Sequence, residues 1–308
     1  MIKIKYGLFA LGISSLVLAA CGDSDSPGIG VDSFTHVHGL SYGADAPYDL
    51  YMSTHHGLTK NDEERNWEWV GEPEERHDLM GFAISNEGTM ISSGHPNAQS
   101  DLENPLGLMI SEDDGETWDP IALHGEVDFH LLEVNANDPS IIYGIDSHQE
   151  GLFKSTDGGY NWDRVEASGF PDSGSIASIV SDPGDPESLL AGTEHGILQS
   201  DDGGETWEEK DNTRVMYSAT GAGEAGHIVG YVVDHQSAVL AKSDDFGETW
   251  ESLHLSLEED VGTHVAVHPS EEGVYAVGTF HENLYETRDG GETWELLAEE
   301  GVPGGQGN

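Results

Sequence analysis

Ser200-Asp201-Asp202-Gly203-Gly204-Glu205-Thr206-Trp207 is one of five octapeptides cut to a single pattern. The others are Ser111–Trp118, Ser155–Trp162, Ser243–Trp250 and Thr287–Trp294. Their third-position aspartates, Asp113, Asp157, Asp202, Asp245 and Asp289, stand 44, 45, 43 and 44 residues apart. A sixth copy, Thr59–Trp67, is one residue longer and lacks the glycine. A steady period of this size marks a repeat architecture. Each octapeptide reads as a tight turn. Ser, Thr and Asp oxygens bond the local backbone, Gly supplies a positive φ, and Trp enters the next strand as a large apolar anchor.

Upstream of each turn lie short alternating or apolar runs, such as Asp49–Met52, Ile141–Tyr143, Ser188–Ala191 and Val274–Val277. Closely spaced strands with turn signals between them predict four strands (A to D) per period, the content of one propeller blade. The first blade starts at Phe34, and Trp294–Ala298 supplies the last D strand, so six blades are expected with no swapped closing strand. The expected fold class is all-β: a six-bladed β-propeller of four-stranded antiparallel blades over residues 34–300.

The octapeptide resembles the Asp-box, or BNR repeat, of sialidase-like β-propellers. The chain is also similar to bacterial lipoproteins called glycosyl hydrolases on the strength of this repeat. The resemblance implies the fold but no single function, because such propellers host glycosidases, sorting receptors, photosystem assembly factors and binding proteins.

Lys3 and Lys5, followed by the short apolar run Leu8–Ala20, predict a signal peptide over residues 1–20. Leu18-Ala19-Ala20-Cys21 resembles a bacterial lipobox, which makes Cys21, the sole cysteine, the expected lipidation site. Residues 21–33 read as the lipidated Cys and a flexible tether, and 301–308 as a disordered tail. The expected location is the outer face of the bacterial cytoplasmic membrane, or the periplasm if the cell has two membranes. With 11 basic and 59 acidic residues the formal charge is −48, which excludes ordinary nucleic-acid binding. The chain is expected to be a monomer.

One histidine recurs in the turn between the B and C strands of every blade: His56, His95, His148, His195, His235 and His281. Aligning the A strands brings His38, Met80, His130, Met216 and His264 to one position near the same mouth, with Ile176 in the fourth blade. Two residues earlier come His36, Asp78 and Asp128. Imidazole is the commonest neutral nitrogen ligand for transition metals, and thioether favours soft ions. These residues therefore predict a metal site for copper or zinc, with Asp78 and Asp128 as orienters of the imidazoles.

Two other readings stand beside it. One is a non-catalytic propeller that binds a protein or peptide, with Tyr217 and Phe280 as exposed aromatics at the mouth. The other is a glycoside hydrolase of the sialidase type. That reading is disfavoured because the resemblance requires three clustered arginines. Of Arg65, Arg76, Arg164, Arg214 and Arg288, only Arg76 and Arg214 can approach the mouth. A two-carboxylate glycosidase would have to use Asp78 and Asp128.

Overall fold

A computed structural model describes residues 30–44, 49–147, 151–171 and 175–304. The predicted leader, Cys21 and His148 fall outside these residues. The strands run blade by blade. Blade 1 holds β1 (Val37–Tyr42), β2 (Leu50–Thr54), β3 (Gly57–Asn61) and β4 (Trp67–Trp69). Blade 2 holds β5 (Asp78–Ile84), β6 (Met90–His95), β7 (Leu108–Ser111) and β8 (Asp119–Ala122). Blade 3 holds β9 (Phe129–Val134), β10 (Ile142–Asp146), β11 (Gly151–Ser155) and β12 (Asp163–Arg164). Blade 4 holds β13 (Ile176–Asp182), β14 (Asp185–Thr193), β15 (Gly196–Ser200) and β16 (Glu208–Asp211). Blade 5 holds β17 (Val215–Gly221), β18 (Ile228–Val233), β19 (Ala238–Ser243) and β20 (Glu251–Ser252). Blade 6 holds β21 (Gly262–Val267), β22 (Tyr275–Thr279), β23 (Leu284–Thr287), β24 (Glu295–Glu299) and β25 (Val302–Pro303).

Each sheet is an antiparallel meander in chain order, and the innermost strands touch in sequence until β21 meets β1 and closes the ring. The fold is the six-bladed propeller expected from the repeat. Among the described residues no helix is long and apolar enough to cross a membrane.

The Asp-box explains the turn geometry. Ser200 Oγ accepts from Gly204 N–H at 2.9 Å and donates to Asp202 Oδ1 at 2.8 Å. Asp202 in turn accepts from Thr206 N–H at 2.8 Å and Thr206 Oγ1 at 2.6 Å. The same pattern recurs at Ser111, Ser155, Ser243 and Thr287. In the last copy, hydrogen bonds from the Thr293 hydroxyl, the Thr293 N–H and Thr287 pull the Asp289 carboxyl down to about 2.

Six buried apolar clusters form the core, each spanning one blade-to-blade seam. Every Asp-box Trp packs into the seam with the preceding blade: Trp118 against blade 1, Trp162 against blade 2, Trp207 against blade 3. Trp250, Trp294 and Trp67 do the same against blades 4, 5 and 6. The repeat thus encodes both the turn and the wedge that joins neighbouring blades.

The ring closes without a swapped strand. Arg65, in the damaged first Asp-box, reaches across the seam to Glu286 and to Glu295 (3.0 Å), and Glu286 also accepts from Arg288 at 2.8 Å. The propeller extends slightly past its expected ends. Val31, predicted to lie in the tether, is fully buried in the blade 6–blade 1 cluster. Residues 301–304, predicted as tail, are ordered. Gly301 turns the chain at φ 75° and accepts from Phe34 N–H at 2.8 Å, and β25 then pairs with β24.

Candidate metal centre at the channel mouth

The A strands all begin at the end of the propeller where the B–C turns lie, and each strand starts with an irregularity in its pairing with the B strand. In blade 1, Val37 pairs with Thr54 and Gly39 with Ser53, which leaves His38 as the extra residue of a β-bulge. The extra residue is His130 in blade 3, Ala177 in blade 4, Tyr217 in blade 5 and Thr263 in blade 6. In blade 2 the irregularity lies between Leu79 and Phe82 and takes in Met80. Bulges re-aim side chains next to functional sites, and here two of them carry a histidine toward the mouth.

Two groups of ligand-type side chains come together there: His38, His55 and Asp78, and His95, Asp128 and His130. They share two members, a carboxylate at the start of an A strand and an imidazole from the B–C turn of the preceding blade. The third is a bulge histidine, from the preceding blade in the first group (His38) and from the carboxylate's own blade in the second (His130). In the first group, Asp78 Oδ2 lies 2.8 Å from His55 Nδ1, and Oδ1 lies 3.5 Å from His38 Nε2. In the second, Asp128 Oδ2 lies 2.8 Å from His130 Nε2 and 3.5 Å from His95 Nε2.

The 3.5 Å contacts carry chemical information. His38 Nε2 and Asp78 Oδ1 are both buried and neither has a hydrogen-bond partner. His95 Nδ1 faces the Asn104 amide oxygen at 2.7 Å. Buried polar atoms without a partner, such as His38 Nε2 and Asp78 Oδ1, are costly unless a cation lies between them or one donates to the other. Two ligands on one tetrahedral ion, with bonds of about 2.0–2.2 Å, stand roughly 3.3–3.5 Å apart. The spacing therefore suits a shared ion. Asn104 on His95 is also the kind of outer partner that orients a metal-binding imidazole.

Charge states differ from residue to residue, and only the lowered histidines are set up as neutral ligands. Burial, helped by the neighbouring His264, His55, His36 and His130, pushes His38 down to about 3, so it is neutral at ordinary pH. Burial lowers His264 to about 4. Burial also disfavours the charged form of His130, but the hydrogen bond and charge of Asp128 outweigh it and raise its pKa. Asp78 is raised, first by burial and also by the charge of Asp128, which couples the two groups electrostatically.

His36 joins the first group. Its backbone is left-handed at φ 54°, unusual for a non-glycine residue, and its N–H donates to Glu282 of blade 6 at 2.8 Å. The His36, His38 and His55 rings form a near-equilateral triangle with centres 6.5, 5.9 and 6.4 Å apart.

The structure corrects several sequence expectations. Asp78 and Asp128 each lie 2.8 Å from an imidazole nitrogen, of His55 and His130, a contact that an orienting carboxylate also makes. Met216 is fully buried among Val180, Leu190 and Ile197, because the blade 5 bulge falls one residue later, at Tyr217. His264 pairs with Gly278 just after the bulge, so it is equivalent to Gly39 and not to His38. It borders the site through a 3.0 Å contact between Nδ1 and Thr263 and a hydrogen bond to the His38 backbone.

The histidine collar divides into two positions. In blade 1, Thr54 Oγ1 donates to Gly57 O at 2.9 Å and accepts from His56 N–H at 3.1 Å, which puts His56 at the turn tip. Thr193 makes the same bonds to Gly196 and His195 at the same distances. In blade 2, Leu79 pairs with Gly94 as Val37 pairs with Thr54, so His95 matches His55 and not His56. His55, which the one-per-blade reading passed over, is the ligand-type residue. The sequence signal was the tandem His55-His56.

Among the described residues, His56, His195, His235 and His281 lie outside both groups. His195 is 86% exposed beside its neighbour Glu194, and His235 is exposed. His281 lies 3.6 Å from Asp260. The arginine clamp of a sialidase is not assembled: Arg76 Nε donates to Gly71 O at 3.0 Å and Arg214 is tied to Asp211 at 2.7 Å.

The octapeptide turns, the Trp wedges and the closed ring of blades decide the class. The chain is a six-bladed β-propeller whose turns resemble the BNR repeat. Residues 171–307 of the propeller match the family described as photosynthesis system II assembly factor YCF48. No curated protein sequence matches the chain.

Among solved structures, the propeller is similar to a GH74 xyloglucanase from Xanthomonas campestris (TM-score 0.58, 19% identity), covering 89% of this chain and 46% of that one. The chain thus spans less than half the length of the GH74 enzymes it matches. It is similar to YCF48 bound to D1 peptide (TM-score 0.50, 15% identity), covering 87% of this chain and 82% of that one. A gluconolactonase from Xanthomonas campestris gives a TM-score of 0.58 at 11% identity, covering 86% of this chain and 87% of that one. At these identities the likeness concerns the fold.

Proposed function

We propose that this BNR propeller binds a transition metal at its channel mouth, held outside the cell by a lipid on Cys21. The observation that carries the reading is the pair of His–Asp–His groups, in each of which an imidazole nitrogen and a carboxylate oxygen stand 3.5 Å apart. Neutral imidazole with carboxylate suits borderline ions such as zinc or copper(II). With Met216 in the core, the thioether argument for copper(I) loses one of its two residues. The anchor would keep the protein on the outer face of the cytoplasmic membrane, or in the periplasm of a two-membrane cell.

The test is an equilibrium titration of the purified, metal-stripped protein with Zn(II), Cu(II) and Cu(I). The reading expects two tightly bound Zn(II) per chain. One should be lost in the His38→Ala/His55→Ala double variant and the other in His95→Ala/His130→Ala. Weak binding that neither variant alters would overturn it.

A second reading, peptide binding at the same mouth, draws support from the YCF48 structure that holds a D1 peptide. Tyr217 (36% exposed) and Phe280 (66% exposed) stand at that end of the ring. This reading expects peptide capture that persists in chelator and weakens on Tyr217→Ala/Phe280→Ala substitution.

A further inference from the structure

The two His–Asp–His groups meet in blade 2. Asp78, of the first group, and His95, of the second, are register partners at the mouth end of the β5–β6 ladder. Directly opposite residues of an antiparallel pair share one face of the sheet, with Cβ atoms about 4.5–5.5 Å apart. The next pair, Leu79 and Gly94, keeps the strands close at this point. Gly94 has φ 131°, and a Cβ there would strike the Asp78 carbonyl and come within 2.9 Å of the Met80 backbone nitrogen. A carboxylate of one group and an imidazole of the other therefore stand side by side at the rim.

The second group is tied to the same strand from its other side. Ser93, two residues before His95, accepts from Phe129 N–H at 3.0 Å, which fixes the start of β9 and Asp128 against the end of β6. His95 Nε2 lies 3.5 Å from Asp128 Oδ2 on that side. The links His38–Asp78, Asp78–His95 and His95–Asp128 thus run without a gap from blade 1 to blade 3. The charges act along the same line. After burial and His55, the strongest influences on the Asp78 carboxyl are His95, which lowers its pKa, and Asp128, which raises it.

We infer that the two groups are one two-ion centre, joined through the Asp78–His95 pair of blade 2, in which each bound ion alters the binding of the other. With facing Cβ atoms about 5 Å apart and metal–ligand bonds of about 2 Å, the two ions stand within about 10 Å of each other. Two doubly charged ions that close repel even through salt water, so the second should bind about 2- to 10-fold more weakly than it would alone.

The inference rests on the metal-binding reading, and one experiment separates the two. Two Cu(II) ions this close couple through their unpaired electrons, which broadens the electron paramagnetic resonance spectrum and adds a half-field transition that an isolated Cu(II) lacks. The purified, metal-stripped protein is loaded with one and with two equivalents of Cu(II). The wild type should show the coupled spectrum at two equivalents. His38→Ala/His55→Ala and His95→Ala/His130→Ala, each holding one Cu(II), should show isolated ions only. Calorimetry with Zn(II) should find the second wild-type step about 2- to 10-fold weaker than the same group binds in the variant that lacks its neighbour. Two bound Cu(II) with neither broadening nor a half-field transition would overturn the joined centre and leave metal binding intact. Copper that does not bind would remove the metal-binding reading, and the inference with it. The wild-type spectrum decides the matter by itself, so a variant that misfolds, as circular dichroism would show, does not blunt the test.

Discussion

Blades 1 to 5 share the four-strand plan and an irregularity at the start of the A strand, yet among the described residues only the first three bring His and Asp together at the mouth. Two residues before the bulge, blades 2 and 3 carry Asp78 and Asp128, whereas blade 5 carries Val215. The preceding B–C turns offer His55 and His95 on one side and Glu194 on the other. The bulge residues are His38 and His130 against Ala177 and Tyr217. The positions match and the chemistry does not. A turn histidine becomes a candidate ligand only where the next blade supplies a carboxylate within reach. His195, one residue along from that position and without a carboxylate across the seam, is left in solvent.

The largest expected effect is on the rich side. Asp78→Ala or Asp128→Ala should weaken metal binding at the affected group by more than the ~10–100-fold typical of losing an outer partner. Glu194→Ala and His235→Ala should leave both groups intact. Calorimetric titration of the four variants checks this, and equal losses on both sides would erase the contrast.

The border between the two halves offers the next test. At the blade 3–blade 4 seam, Glu133 is buried and accepts from Ser181 N–H at 3.0 Å and Ser181 Oγ at 2.8 Å. Burial pushes its pKa up from 4.5 to about 7. Because the folded state then holds a proton that the unfolded state has lost, stability falls as pH climbs from about 4.5 to about 7 and levels off above. Glu133→Gln removes that slope. Its advantage over wild type should grow to a few kcal/mol between pH 5 and 8, measured by urea unfolding at each pH. Parallel curves would show that Glu133 ionises normally.

A smaller effect separates the two ends of the propeller. Asp202→Ala deletes the carboxylate that holds the blade 4 Asp-box turn. It should lower the unfolding midpoint, as loss of a cap does, without changing metal affinity. Thermal unfolding with and without Zn(II) would reveal any coupling between the two faces.

The smallest expected effect is constructive. Glu194→His with Val215→Asp copies the His55–Asp78 pair into the poor side. The introduced imidazole should titrate about one unit above a free histidine because a carboxylate now faces it, visible by NMR. An unshifted imidazole would show that the bulge residue is also required.

The fold was legible because the Asp-box states its own turn chemistry and its Trp marks each seam. The site was only half legible. His38, His130, His95, Asp78 and Asp128 were all reachable from aligned repeats. His55 and His264 were misplaced by one residue, and a one-residue slip sends a strand side chain to the opposite face. The causes are local. The blade 2 turn runs from His95 to Leu108 while the blade 1 turn spans only His55 and His56, and the blade 5 bulge comes late. Bulge placement depends on pairing with the neighbouring strand, so a single strand's sequence does not disclose it.

The measurement that bears most directly on the central claim is anomalous diffraction at the zinc edge from crystals of the protein grown with one added equivalent of Zn(II) per group. Two peaks are expected at the mouth. One should fall between His38, His55 and Asp78, the other between His95, Asp128 and His130, each within bonding distance of imidazole nitrogen. A mouth without peaks, or zinc scattered over the acidic surface, would contradict it.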